Sequence, residues 1–320
     1  MLSRVADSLY WLSLNMERAD NIAKLLSVRT ISMLENHNLK IKQDDEWEEL
    51  VKIAGDLDQF QQSYSQCKRS SVIHYLAFSK ENANSIRSCI ALARENAKGI
   101  REIIPMEMWE VINELYLEIR DFPTSDVTIE QLNDFFQKIL EKSFQYQGII
   151  TSLMPRGDSY SFIMFGKHLE RLRKLSRTLD VYYHKKIAAR DNIDSVNYHY
   201  WSAVLSTVSG YESYLQKYQA FIEPLQVVNY LVFDATLPRS ANFNAERMMY
   251  AFSKLQADGV TDYSRRLYDT LHELKREVSY ESLNDISISL HDYFQKLQTL
   301  CDEVGNAIMD TYYLGEISTL

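Results

Sequence analysis

Apolar residues return at helical spacing along almost the whole chain, and that periodicity constrains the fold more than any other feature of the sequence. In the first segment Val5, Leu9, Leu12, Met16, Ala19, Ala23 and Leu26 form one stripe in a four-three alternation. Tyr10, Leu14 and Leu25 lie roughly opposite, so the helix is expected to pack on two faces. Only nine Gly and five Pro occur in 320 residues, which suits long helices because both are costly inside them. Pro105, Pro123, Pro155, Pro224 and Pro238 all stand where a helix can start or stop. Thr128 with Gln131 makes a capping box for a helix beginning at Ile129.

The pattern predicts helices over 4–34, 46–64, 71–104, 106–121, 129–153, 159–188, 194–220, 240–256, 261–278 and 280–313. Residues 224–239 take no assignment, and no stretch alternates long enough to be a strand. The expected product is an all-α bundle of long antiparallel helices, a single helical domain over 1–320. Within it Ser8–Leu26 aligns without gaps on Ser161–Leu179, setting Glu17-Arg18 on Glu170-Arg171. Two duplicated halves, with a seam near 145–158, would account for this match, and so would coincidence.

Apolar residues make up 46 % of the chain and charged ones 25 %, a globular balance large enough to bury a sizeable core. A formal charge of −9 argues against nucleic acid as a partner, because phosphate binding favours a basic surface. Cys67, Cys89 and Cys301 are odd in number and widely spaced, which suits a reducing cytoplasm. Asp7 falls where a secretory leader would be apolar, so none is expected. The apolar run 227–233 is broken by Asn229 and too short to span a bilayer.

Three sets of charges are candidate ligand contacts. The first is the two Glu-Arg pairs, Glu17-Arg18 and Glu170-Arg171. Adjacent residues on a helix point ~100° apart, so each member of a pair serves a different neighbour. Arg18 shares a face with Trp11, Asn15 and Ile22, and Arg171 with Met164, His168 and Leu175. All four charges are expected to be mostly buried, the arginines more surely than the glutamates. They can form an ion-pair lattice that fixes helix register, or the polar floor of a cleft.

The second set is Arg87, Arg94 and Arg101, spaced by seven and so placed on one helix face. Guanidinium forks suit carboxylates and phosphates, and here they are expected to meet carboxylates of the Glu-Arg helices across an interior cleft. The competing view is a solvated face neutralised by Glu95 and Glu102. Arg156 and Arg239 form the third set, each following a proline just before a helix, where free amides favour an anion. Asp158, Ser159 and Ser240 nearby are also plain N-cap candidates.

Other chemistries find no footing. None of the seven histidines stands three residues after a glutamate, as a carboxylate-bridged di-iron bundle would want. The acidic run Asp44-Asp45-Glu46-Trp47-Glu48 lacks calcium-loop spacing and reads as a solvated helix start. There is no Gly-rich phosphate loop and no nucleophile elbow, and His74, His168, His184 and His199 are scattered. No cofactor and no metal is expected, and catalytic residues cannot be named.

Leu2–Leu26, LSRVADSLYWLSLNMERADNIAKLL, resembles the opening signature of the alpha-E domain family, bacterial helical proteins with a Glu-Arg motif. The stretch SIRSCIALARENAKGIRE with Met108-Trp109 and Asn113 is similar as well, as are Met154–Arg171 and Leu237-Pro238-Arg239-Ser240. Three departures stand out: Ala83 where the family's Asn-Pro-x-Ser-Ile segment has proline, Leu14 where arginine is usual, and Ser159-Tyr160 where Gly-Trp is usual. The resemblance implies a partner of ATP-grasp amide ligases and transglutaminase-like proteases. The expected role is an accessory, substrate-handling subunit in making or modifying a peptide, binding a protein partner and an anionic small molecule or peptide. Two alternatives stand beside it: an enzyme acting on a carboxylate or phosphate in a cleft lined by the Glu-Arg pairs, or a purely structural oligomer.

Overall fold

The computed structural model describes residues 3–35, 43–124, 127–188, 194–219, 221–256, 259–280, 282–286 and 288–312. Among these there are helices and turns but no strand. The chain divides into two compact units, one from the described residues of 1–167 and one from those of 168–313. No helix among the described residues is long and apolar enough to cross a membrane.

The first unit opens with α1, Ser3–Glu35, whose 33 residues contain neither Gly nor Pro. Short helices α2 (Gln43–Ala54), α3 (Leu57–Ser63) and α4 (Arg69–Ile73) follow. Next come a π-helical turn His74–Phe78, then α5 (Ile86–Gly99), α6 (Met106–Asp121) and α7 (Ile129–Leu153). α1 packs on α5 and α7, and α6 bridges α5 and α7. Hydrogen bonds Gln137–Ser27 and Gln147–Glu17 advance along α7 while retreating along α1, so the two helices are antiparallel. Ion pairs Lys142–Glu114 at 2.7 Å and Lys138–Glu118 at 3.1 Å show the same for α6 and α7. Helix α8, Asp158–Ala188, starts in this unit, and the division between units falls inside it. A Cβ on Gly166 would sit 2.3 Å from the Tyr10 carbonyl oxygen, so α8 lies directly against the backbone of α1.

The second unit holds the rest of α8, α9 (Asp194–Thr207), α10 (Tyr211–Tyr218), α11 (Pro224–Phe233), α12 (Ala241–Leu255), α13 (Arg265–Glu277) and α14 (Leu290–Tyr312). Asp180 meets His291 and Gln295 near the start of α14, whereas Arg173 meets Asp302 a further two turns on. α8 and α14 are therefore antiparallel too. The expected architecture of long antiparallel helices is what the chain adopts.

Several boundaries fall as read: α6 and α7 begin and end where the periodicity places them. The Thr128 hydroxyl accepts from the Gln131 amide at 3.3 Å, and the Gln131 side chain accepts from the Thr128 amide at 2.9 Å, completing the capping box. Elsewhere continuous readings are broken. The helix expected over 46–64 stops at Gly55, whose φ of 88° is left-handed. The one over 194–220 breaks where Ser209 takes φ 53° ahead of Gly210. The one over 71–104 is interrupted between Phe78 and Ile86 and ends at Gly99. The one over 280–313 becomes helical only from Leu290, after a 3-10 turn at Leu283–Asp285. Conversely α11 fills part of the unassigned 224–239, with Pro224 in its first turn and Val227, Val228 and Tyr230–Phe233 buried.

Cys89 and Cys301 are fully buried, one in each unit, while Cys67 is partly accessible, and none of the three stands in a disulfide. Burial pushes the Cys301 thiol up to about 12.

Candidate functional site

The Glu-Arg pairs split their tasks as the helix geometry requires. Glu17 is 1 % exposed and turned toward α7, where it accepts from the Gln147 amide at 3.5 Å. Beside it lie the buried Ser13 and Tyr146, and burial raises the phenol's pKa. One turn on, Asp20 and Lys24 form an ion pair of 3.0 Å with both side chains buried, and Ser27 accepts from Gln137 at 3.2 Å. The α1–α7 seam is thus a polar stripe inside an otherwise apolar bundle, and a buried pair of this kind specifies register more than it adds stability.

Arg18 points elsewhere and is only half-buried. Its guanidinium donates to the Asn84 side chain, whose own amide donates to Asp56 at 2.9 Å. The Asn84 backbone amide donates to Asn82 at 2.8 Å. Arg18 therefore ties α1 to the segment between the π turn and α5, where Ala83 replaces the expected proline. In the second unit Glu170 is 5 % exposed and lies 3.7 Å from Arg173, which also pairs with Asp302 at 3.0 Å. Arg171 is half-buried. The expected order of burial is reversed: the glutamates are inside and the arginines reach the surface. A short carboxylate stays where its helix puts it, whereas a long Arg stem can carry its head outward.

The arginine stripe also finds other partners than expected. Arg87 and Arg94 do share a face of α5, but Arg101 lies in the turn beyond its end. All three turn to α6, not to carboxylates of the Glu-Arg helices. Arg87 donates to the Ile119 and Phe122 carbonyls at 3.1 and 3.2 Å, satisfying the open end of α6. Burial lowers the pKa of this guanidinium. Arg94 donates to Asn113 and Glu95, both at 2.8 Å, and lies over the rings of Tyr116 (4.6 Å) and Trp109 (5.5 Å). Arg101 stacks on Trp109 at 3.6 Å. The signal for this was present: Trp109 and Tyr116 are seven apart on an antiparallel helix, the same step as the arginines.

Arg156 closes α7 in the same way, donating to the Thr151 and Ile150 carbonyls at 2.6 and 3.3 Å while lying over Tyr160 at 4.3 Å. Arg239 is half-buried just before α12. Ser240 caps that helix, its hydroxyl accepting from the Phe243 amide at 3.0 Å and donating to the Asp234 carbonyl six residues back. Ser85 repeats the device at α5, accepting from Ser88 at 3.1 Å and donating to the Ser79 carbonyl, again six back, at 2.6 Å. Each serine thus holds the start of one helix to the end of the preceding element. Asp158 stands in the first turn of α8.

Some groupings were not anticipated. Asp180 accepts from His291 at 2.6 Å, Gln295 at 2.5 Å and Gln298 at 3.3 Å, linking α8 to α14. A third Glu-Arg pair, Glu246-Arg247, lies on α12. Its glutamate is exposed and paired with Lys275 at 2.8 Å, and its arginine covers Phe243 at 4.7 Å. Glu46, expected to be solvated, pairs with Arg29 where Trp47 anchors α2 in the core. Asp44 and Asp45 side chains, and those of His184 and His199, lie outside the described residues. His168 is buried and bonded to Asn244 at 2.7 Å. Among the described residues no three His, Cys, Asp or Glu side chains form a group that could hold a metal ion.

A profile of the Alpha-E family, described as a predicted alpha-helical domain with a conserved ER motif, matches residues 1–313. No curated protein and no solved structure matches the chain.

Proposed function

The chain belongs to the Alpha-E family, and from that premise we propose that it is an accessory binding and substrate-handling subunit of an ATP-grasp-type amide ligase. It would act in the cytoplasm, on the making or modification of a peptide. The observation that supports this best is how the charges singled out in the sequence are used. Arg87 and Arg156 close helix ends, Arg94 is clasped between α5 and α6, and Glu17 and Glu170 are sealed within helix packing. Groups used this way stiffen a scaffold, and a stiff scaffold loses little entropy when its surface is engaged. This favours a binding subunit over an enzyme whose Glu-Arg pairs act on a substrate.

The test is to co-express the chain with the ATP-grasp ligase of the same genome. A stable complex should form, and ligase-dependent ADP release with peptide substrates should rise, while the chain alone turns over no ATP. A ligase that neither co-purifies with the chain nor changes its rate in its presence would sink the proposal.

A further inference from the structure

The corner between α5 and α6 carries a guanidinium that the fold holds in place but does not use. The Arg101 guanidinium lies over the Trp109 ring, 3.6 Å from its centroid, and its N–H groups bond to no described residue. Every other arginine of the stripe has oxygen partners: carbonyls for Arg87, Asn113 and Glu95 for Arg94. The Trp109 ring covers part of the guanidinium, and Arg101 as a whole is exposed, so N–H groups that bond to no described residue can be reached from solvent. A fork held in one orientation loses little freedom on meeting a carboxylate.

Exposed apolar residues stand close to it in the chain. Met106 is 73 % exposed and Ile103 40 %, both within five residues of Arg101 in the chain. Met106 stands three residues before Trp109 on α6, and so on a neighbouring face. Arginine, tryptophan and methionine are among the side chains enriched at protein–protein contacts, and charged pairs work best there when surrounding contacts exclude water. The surrounding charges limit the partner. Glu102, Glu107 and Glu110 are exposed nearby, and Lys98 is already within 3.7 Å of Glu95. A polyacidic tract would meet the repulsion of three glutamates with every one of its charges and a lone carboxylate with only one, so the local charge favours a segment that carries a single carboxylate between apolar side chains.

We propose that the Arg101–Trp109 corner, rimmed by Ile103 and Met106, is a docking surface for a segment of a protein partner that carries a single carboxylate flanked by apolar side chains. It rests on the reading of the chain as a binding subunit and names the surface through which it binds.

The probe is a blocked peptide with one glutamate between two leucines, against its glutamine analogue, titrated into the full chain by calorimetry and tryptophan fluorescence. The glutamate peptide should bind at least about tenfold tighter than the glutamine one. Arg101→Ala should erase that difference, and Arg101→Lys should recover little of it, because an ammonium neither stacks nor forks in the same way. Arg101 makes no hydrogen bond among the described residues and its one contact, on Trp109, is at the surface, so both variants should stay folded and melt within a few degrees of wild type. Failure of the wild-type chain to bind, equal binding of the two peptides, or unchanged affinity in Arg101→Ala would each overturn the assignment. Absence of any ligase complex with wild type counts against the function proposed above. A ligase complex of undiminished affinity with Arg101→Glu counts against this surface alone.

Discussion

Replacing Gly166 by alanine should destabilise the protein by about 1–3 kcal/mol or more, although alanine is the better helix former. On an exposed helix the change would favour folding by about 1 kcal/mol. Here the new methyl would lie 2.3 Å from the Tyr10 carbonyl oxygen, 3.0 Å from the Leu14 nitrogen and 3.2 Å from the Tyr10 carbonyl carbon. These are backbone atoms of a helix and cannot rotate away, so α1 and α8 must separate locally by about 1 Å. A gap of that size forfeits roughly a quarter to a half of each dispersion contact along the seam. Overpacking of this kind typically costs about 1–3 kcal/mol, occasionally more, and it outweighs the propensity gain. Gly148 supplies the control. It lies within α7 with nothing within 4 Å of its virtual Cβ, so Gly148→Ala should stabilise by about 0.5–1 kcal/mol. Urea unfolding followed by circular dichroism and tryptophan emission measures both, and Trp11, 5.3 Å from the Tyr10 ring, reports from beside the clash. A Gly166→Ala midpoint at or above that of wild type would refute the argument.

Three further outcomes are expected. Glu17→Ala should cost several-fold more stability than Glu48→Ala, because it empties a buried position and leaves the Gln147 amide without its acceptor, at about 1–3 kcal/mol, whereas the exposed Lys52–Glu48 pair is worth about 0–1 kcal/mol. Equal midpoints would contradict the buried role of Glu17. Arg87→Ala should lower stability by about 2–3 kcal/mol through the two carbonyls it leaves open at the end of α6, with Arg87→Lys recovering less than half. An unchanged urea midpoint for Arg87→Ala would remove it as a cap. At Asp234 burial alone would raise the carboxyl, but the Lys217 ammonium, the Thr236 hydroxyl and the Thr236 and Leu237 amides outweigh it and bring the pKa down to about 2. A depressed carboxyl stabilises above its unfolded value near ~3.9 and loses that contribution as pH falls through the folded one. Asp234→Ala should therefore cost about 2 kcal/mol more at pH 7 than near pH 2, where only the loss of the acceptor for the Thr236 and Leu237 amides remains, and a deficit independent of pH would contradict the assignment.

The helices were legible where periodicity and punctuation agree. α6 lies between Pro105 and Pro123, and α7 starts at a capping box, so local chemistry alone sets their ends. Breaks without proline were not legible. Between Phe78 and Ile86 the chain turns through Asn82, Ala83 and Asn84, and only the Ser85 cap hints that a helix restarts. α11 escaped for the opposite reason, since a segment buried almost all round has no polar face to give it a period. At the candidate site the heptad placed Arg87 and Arg94 together, because a repeat of seven is a local property. Which helix they meet is a tertiary choice, and aromatic faces on α6 satisfied them as well as carboxylates would. The burial of Glu17 and Glu170 was legible from the apolar faces of α1 and α8, but its order was not: the sequence favoured the arginines as the deeper members, and it is the glutamates that lie inside.

The placement of the cysteines turns each compact unit into its own clock. A thiol reacts as its thiolate, so Cys89 behind its helix packing and Cys301 with its pKa near 12 are shielded from alkylation until their surroundings open. Unfolding returns each to an ordinary thiol near ~8.5 and exposes it at once. Because one lies in residues 1–167 and the other in 168–313, the rates at which the two become labelled measure the opening of each unit separately, with Cys67 marking the start of exposure to reagent. Whether the two rates coincide then tells whether the protein comes apart as one cooperative body or as two.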